Sequence, residues 1–147
     1  MKSKKFRNIS LTILSVAVVY VGIWFSIVTV QYKPYTDAVP KNEFGVNHFK
    51  KDGYYFNVKK PDFLSYTGNL GVVNEDGTAS LIIWPSLFEK NEYGVRLEKD
   101  GLAFESMINE NLEPIVNVDS PENKKINEYK PQMEMLFAKA REVWELE

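Results

Sequence analysis

Cysteine is absent from this 147-residue chain, histidine occurs once, and no charged side chain lies between Asn8 and Tyr32. Without cysteine there is no disulfide scaffold, no thiolate-bound metal and no lipid anchor on an acylated cysteine. The lone His48 leaves little material for a nucleophilic triad or a zinc site. It sits between Asn47 and Phe49 in a polar stretch and reads as a solvated loop residue. No excess of basic charge exists either, because the net charge of −2 excludes a basic nucleic-acid binder. No glycine-rich phosphate loop follows a strand and GxSxG is missing, so no cofactor is expected.

What is present divides unevenly along the chain. At 44% apolar and 26% charged, the composition is that of a chain that folds. Lys2, Lys4, Lys5 and Arg7 precede an uncharged run, and every carboxylate lies beyond Tyr32. Residues 9–30 read ISLTILSVAVVYVGIWFSIVTV, free of charge, Asn, Gln and Pro. As a helix this run extends about 33 Å at about 1.5 Å per residue, enough for a hydrocarbon core of about 30 Å. In lipid only a helix satisfies the backbone of a lone segment. The basic cluster ahead of the run keeps the N-terminus cytoplasmic and sends the remainder outside. Tyr32 and Tyr35 fit the outer interface, with Trp24 deeper.

A cleaved secretory signal is the competing reading, with Thr36-Asp37-Ala38 offering small residues before a cut at Val39. The apolar run is longer than the 7–15 residues usual for such signals, and the cut lies well past its end. The segment therefore reads as a signal anchor. One of its faces collects Ser15, Gly22, Ser26 and Thr29, and Gly22-xxx-Ser26 would let a second helix approach closely.

The expected layout is a cytoplasmic tail over 1–7, a transmembrane helix over 8–32, a stalk over 33–52, and an extracytoplasmic domain over 53–147. Two prolines, mixed charge and no apolar period mark the stalk. Tyr54-Tyr55-Phe56-Asn57-Val58 reads as a strand bounded by Asp52-Gly53 and Lys59-Lys60-Pro61. Residues 67–73 and 78–84 flank Asn74-Glu75-Asp76-Gly77, a turn that sets Val73 opposite Thr78, Leu70 opposite Leu81 and Gly68 opposite Ile83. This turn only superficially resembles a calcium loop, since the alternating oxygen ligands are missing. Residues 93–99 and 102–108 flank Asp100-Gly101, which favours a type I′ turn. That register pairs Leu97 with Phe104 and Tyr93 with Ile108, and sets Arg96 against Glu105 on the other face. A helix over 102–112 is the rival. Residues 112–118 add a further strand, confined to an edge by Pro114.

The period then changes. Ser120-Pro121-Glu122 is a helix start, and Ile126, Tyr129, Met133, Phe137, Ala140 and Trp144 recur at helical steps. Pro131 interrupts that stripe, so it belongs either to one kinked helix or to two, the second beginning at Pro131. The fold class is thus α+β: a single N-terminal transmembrane helix, then a small, mainly antiparallel sheet of four to six strands covered by a C-terminal helix.

Candidate functional residues are few. Trp84, Leu87 and Phe88 cluster around the break made by Pro85, and an apolar loop on a rigid sheet suits partner binding. For a core this small, the favoured role is that they fold back and plug the end of the sheet. Ser15, Gly22 and Ser26 are the candidate helix–helix contact. Glu89, Glu92 and Glu105 are the nearest acids for a glycosidase-like pair, but a solvated face, with Glu105 held by Arg96, is the reading they favour. Lys50-Lys51 and Lys59-Lys60 form a small basic patch toward the membrane.

The function expected is that of a single-pass cell-membrane protein with a binding or regulatory domain outside, and not an enzyme. Its expected partners are the lipid bilayer and another membrane or envelope protein. The alternatives are an envelope enzyme using paired carboxylates, or an accessory subunit gripping its complex through the span. A cysteine-free exported domain points to a bacterial envelope, where disulfides are sparse.

Overall fold

Three helical and six extended segments make up the computed structural model, which describes residues 2–99, 101–115 and 125–146. The apolar run folds as part of helix α1, Lys2–Ala38. Long-side-chain residues and the absence of interior proline before Pro34 carry it well past the run itself. The strands are β1 Asn47–Lys51, β2 Tyr54–Lys59, β3 Asn69–Asn74, β4 Ala79–Trp84, β5 Glu92–Lys99 and β6 Leu102–Ile108. They form one antiparallel meander in the order β1-β2-β3-β4-β5-β6. A 3₁₀ turn, Lys125–Tyr129, leads into helix α2, Lys130–Trp144. The fold is α+β, a long apolar helix followed by a six-stranded sheet and a helix packed on it.

The β5–β6 hairpin has the expected register, with Tyr93 opposite Ile108, Arg96 opposite Glu105 and Leu97 opposite Phe104. Strand β6 excludes the rival helix. Gly101 has φ of 75°, as a primed turn needs, while Asp100 lies outside the described residues. The β3–β4 register differs from expectation. Leu70 pairs with Ile83 and Val72 with Leu81, and Gly68 precedes the strand. The shift is two residues, so the apolar face survives. Its cause is Asn74, whose side chain accepts the Ala79 N–H at 2.8 Å and donates to the Thr78 hydroxyl at 3.0 Å. Asn74 therefore belongs to the strand, and the loop begins one residue later.

The stalk expected over 33–52 is not an irregular linker. Helix α1 continues through Pro34 to Ala38, and Asn47–Lys51 is an edge strand paired with β2. Asp52 and Gly53 both take positive φ, 51° and 78°, which makes the β1–β2 connection a primed turn. His48 consequently lies on a strand, stacked on Tyr55 at 5.7 Å. The strand expected over 112–118 reduces, among described residues, to a turn and one bridge. Leu112 has φ of 65°, and Pro114 bridges Ile108 at the sheet edge. Residues 116–118 and the helix start at Ser120-Pro121-Glu122 lie outside the described residues.

One sheet face carries Phe56, Val58, Leu70, Val72, Leu81, Ile83, Val95 and Leu97, all buried. Helix α2 covers it with Met133, Leu136, Phe137, Ala140 and Trp144. Trp144 meets Phe56 edge-on at 5.8 Å, and Phe137 meets Tyr93 at 5.0 Å. Pro131 sits in the first turn of α2, directly after the 3₁₀ turn, so it does not kink a helix interior, and residues 121–124 lie outside the described residues. The end of α1 closes the same core with Val28 and Tyr32, followed by Val39. Tyr32 is thus not an interfacial residue with a wet hydroxyl. It is 0% exposed, and its phenol oxygen accepts the Gly68 N–H at 2.8 Å. Tyr35 is half-buried against it.

Candidate binding cleft

Two loops leave the sheet at the end nearest α1. Pro85 cannot donate to a ladder and stops β4. The Ser86 hydroxyl then accepts the N–H groups of Phe88 and Glu89 at 3.4 and 3.0 Å, and the Ser86 N–H donates to Asn91 Oδ1 at 3.2 Å. The tight turn pushes Phe88 outward, to 93% exposure, with Leu87 also exposed. The β2–β3 loop is built the same way. The Ser65 N–H donates to the Asp62 carbonyl at 2.9 Å, the Thr67 N–H to the Ser65 hydroxyl at 3.1 Å, and Leu64 takes φ of 63°. Phe63 and Leu64 are left exposed at its tip.

Helix α1 runs between these loops and is bonded to both. Trp24 Nε1 donates to the Ser65 carbonyl at 2.6 Å, and Phe63 stands edge-on to the Trp24 ring at 5.3 Å. Gln31 Nε2 donates to the Pro85 carbonyl at 3.2 Å. A cleft of about 540 Å³ opens here, walled by Ile27, Tyr66, Thr67, Trp84, Leu87 and Phe88, with Glu89, Lys90 and Glu92 at its edge. The candidates Trp84, Leu87 and Phe88 therefore line one site. They do not plug the sheet end: Trp84 is half-buried on the outer face, across Gly94, and the other two face outward. A Cβ at Gly94 would lie 2.9 Å from the Trp84 ring, so glycine is what lets the indole lie flat there. Trp84 also walls a shallower hollow of about 230 Å³ on the outer face, with Ile82, Gly94 and Met107.

The cleft is an apolar receptacle with a charged lip. Among the acids singled out, Glu89 and Glu92 edge it and are exposed, whereas Glu105 lies on the outer face 3.8 Å from Arg96. Among the described residues no cluster of three or more His, Asp or Glu side chains has the arrangement to hold a metal. Sequence reasoning missed Ile27, Phe63, Leu64 and Tyr66. The pair Phe63-Leu64, an apolar step directly after Pro61-Asp62 in a polar loop, was the available signal. It has the same form as Leu87-Phe88 after Pro85-Ser86.

The lysine pairs do not make one patch. Lys50 and Lys51 pair with Tyr55 and Tyr54, while Lys59 pairs with Asn69 at the opposite end of β2. That separation is about 17 Å at about 3.4 Å per residue. Lys50 is held by Glu75, which pushes its ammonium above its ordinary range. Lys51 reaches Glu142 at 2.7 Å, and Lys139 reaches Glu142 at 3.0 Å and Asp52 at 3.3 Å. This network ties α2 to the β1–β2 turn. Lys51 first and then Lys139 depress the Glu142 pKa, and Glu142 in turn raises that of Lys139.

On α1, Gly22 has open space where a side chain would stand. The hydroxyls of Ser15 and Ser26 donate to Leu11 and Gly22 carbonyls at 2.9 and 2.8 Å. At about 100° per residue this face points away from Trp24, Val28 and Tyr32, which meet the sheet. Helix α1 is long and apolar enough to cross a membrane. No protein-family model, no curated protein and no solved structure matches the chain.

Proposed function

We propose that this chain is a single-pass protein of a cell membrane, its N-terminus cytoplasmic. Its sheet domain stands outside and acts by binding another component of the envelope rather than by catalysis. One observation carries the reading: α1 is two things at once. Its side chains are exposed from Phe6 to Ile23 although most are large and apolar, while Val28 and Tyr32 belong to the domain core. A water-soluble protein does not leave such a length of apolar helix uncovered. A cut before Val39 would also remove Tyr32 and leave the Gly68 N–H without its acceptor, which supports an anchor that is kept over a signal that is shed.

The cleft beside α1, with Trp84, Leu87 and Phe88, is the binding surface in this reading. The test is export of the full chain in cells, followed by mass measurement and external protease. The expected product retains residues 1–38, sediments with membranes and loses its C-terminal domain to protease added outside. A mature chain beginning at Val39, or a domain shielded in intact cells, overturns the proposal.

A second reading, contact between spans, is favoured by the position of Gly22 and Ser26 on the face that the domain leaves open. Gly22→Ile would then abolish co-purification with a membrane partner while leaving the melting of the domain unchanged.

A further inference from the structure

We infer that the β2–β3 and β4–β5 loops enter the outer leaflet of the bilayer that holds α1, so that the partner at the mouth of the cleft is membrane lipid. The inference rests on the anchored reading and follows from where the loops touch the helix. A hydrocarbon core of about 30 Å takes about 20 residues at about 1.5 Å each. Counted from Ile9, the first residue of the apolar run, it ends near Val28.

Trp24 then lies about 6 Å inside that edge by the same rise per residue, and Trp24 is the residue that Phe63 and the Ser65 carbonyl contact. Ile27, one residue short of the edge, shares the cleft wall with Leu87 and Phe88. Were both loops in water, only residues 9–23 would remain for the lipid. That length, about 22 Å, is some 8 Å too short to span.

The loops are made for such a place. Phe63, Leu64, Leu87 and Phe88 are exposed at their tips, 69%, 43%, 37% and 93% respectively. Phe88 is the most exposed of them. The backbone N–H groups of Ser65, Thr67, Phe88 and Glu89 are bonded within the loops themselves, so they carry little desolvation cost into the interface. Charged residues stay just behind the tips, at head-group level. There Lys59 pairs with Asp62, and Lys90 with Glu110. Apolar tips backed by charged side chains of both signs, with exposed Glu89 beside Phe88, suit a shallow seat at head-group depth. The cleft beside Ile27 then opens toward acyl chains, and its apolar wall suits one.

The absence of native cysteine allows a direct test. Single cysteines at Phe63, Phe88, Val16 and Ala103 are labelled with an environment-sensitive fluorophore in the full chain. The protein is then reconstituted in vesicles of phosphatidylethanolamine and phosphatidylglycerol. Phe63 and Phe88 lie outside the core, and unchanged melting checks that the variants fold. Lipid carrying a nitroxide near the top of the acyl chain is expected to quench the Phe63→Cys and Phe88→Cys labels at least about twofold, and to leave Ala103→Cys bright. If those two labels behave like Ala103→Cys while a nitroxide deep in the chain quenches Val16→Cys, the loop proposal is overturned. The anchor then stands, and the loops are free for a protein. If Val16→Cys also escapes quenching, the anchored reading fails and the loop proposal fails with it.

Discussion

Tyr32 ties helix α1 to the sheet through one buried hydrogen bond. Its phenol accepts the Gly68 N–H where both groups are buried, and Gly68 itself has no room to move. A Cβ there would stand 2.3 Å from the Lys59 carbonyl oxygen and 2.9 Å from the Pro61 nitrogen. Replacing Tyr32 with Phe keeps the ring and strands the Gly68 donor. We expect Tyr32→Phe to cost about 1–3 kcal/mol, read by denaturant unfolding in detergent, with tryptophan emission as the signal. The role of Tyr32 was illegible beforehand because a tyrosine just after an apolar run is also what a membrane interface uses. Its partner lies 36 residues away, beyond any local pattern. The break that Pro85 makes beside Trp84, Leu87 and Phe88, by contrast, was legible, because proline cannot donate to a ladder.

Among the elements, α2 shows how position decides the effect of a residue. Pro131 would cost about 3 kcal/mol inside a helix, but it stands in the first turn, where its missing N–H has no intrahelical acceptor. Pro131→Ala is therefore expected to change stability by no more than about 0.5 kcal/mol, measured by thermal or urea unfolding. The other end of α2 is pinned electrostatically to the β1–β2 turn by Lys51, Glu142, Lys139 and Asp52.

The folded-state pKa of Glu142 is depressed from 4.5. Its contribution is present above that value and is lost as pH falls through the depressed one. That of Lys139 is raised from 10.5, so its contribution is present below that value and lost as pH rises through the raised one. Glu142→Gln should lower the melting midpoint slightly near neutral pH, and the difference should vanish in acid and shrink in salt. Melting curves across pH read both effects. At this scale the β5–β6 hairpin followed from its Asp-Gly turn and three agreeing cross-strand pairs. The β1–β2 hairpin carries the same signal at Asp52-Gly53. It was hidden because its first strand, Asn-His-Phe-Lys-Lys, has only one strongly apolar side chain.

At the scale of the whole molecule, the end of helix α1 and the sheet are one folding unit. Val28, Tyr32 and Val39 are buried with the sheet and α2, and each such side chain contributes about 1.5–3 kcal/mol. A small domain holds a total of only about 5–15 kcal/mol. A fragment over 41–147 is accordingly expected to lose its cooperative melt, whereas a fragment over 24–147 retains one. Circular dichroism on the two distinguishes them, and an equally stable shorter fragment would refute the shared core.

Local chemistry was enough to write the long apolar helix, the alternation of the strands, the tight Asp-Gly turn and the stripe of α2, because each depends on neighbours within a few residues. Which surfaces meet was decided only in three dimensions. The docking of α1 between two loops and the convergence of Ile27, Tyr66 and Phe88 on one cleft arise from contacts between segments far apart in the chain. Such contacts impose shape and hydrogen-bonding demands that leave no period along it.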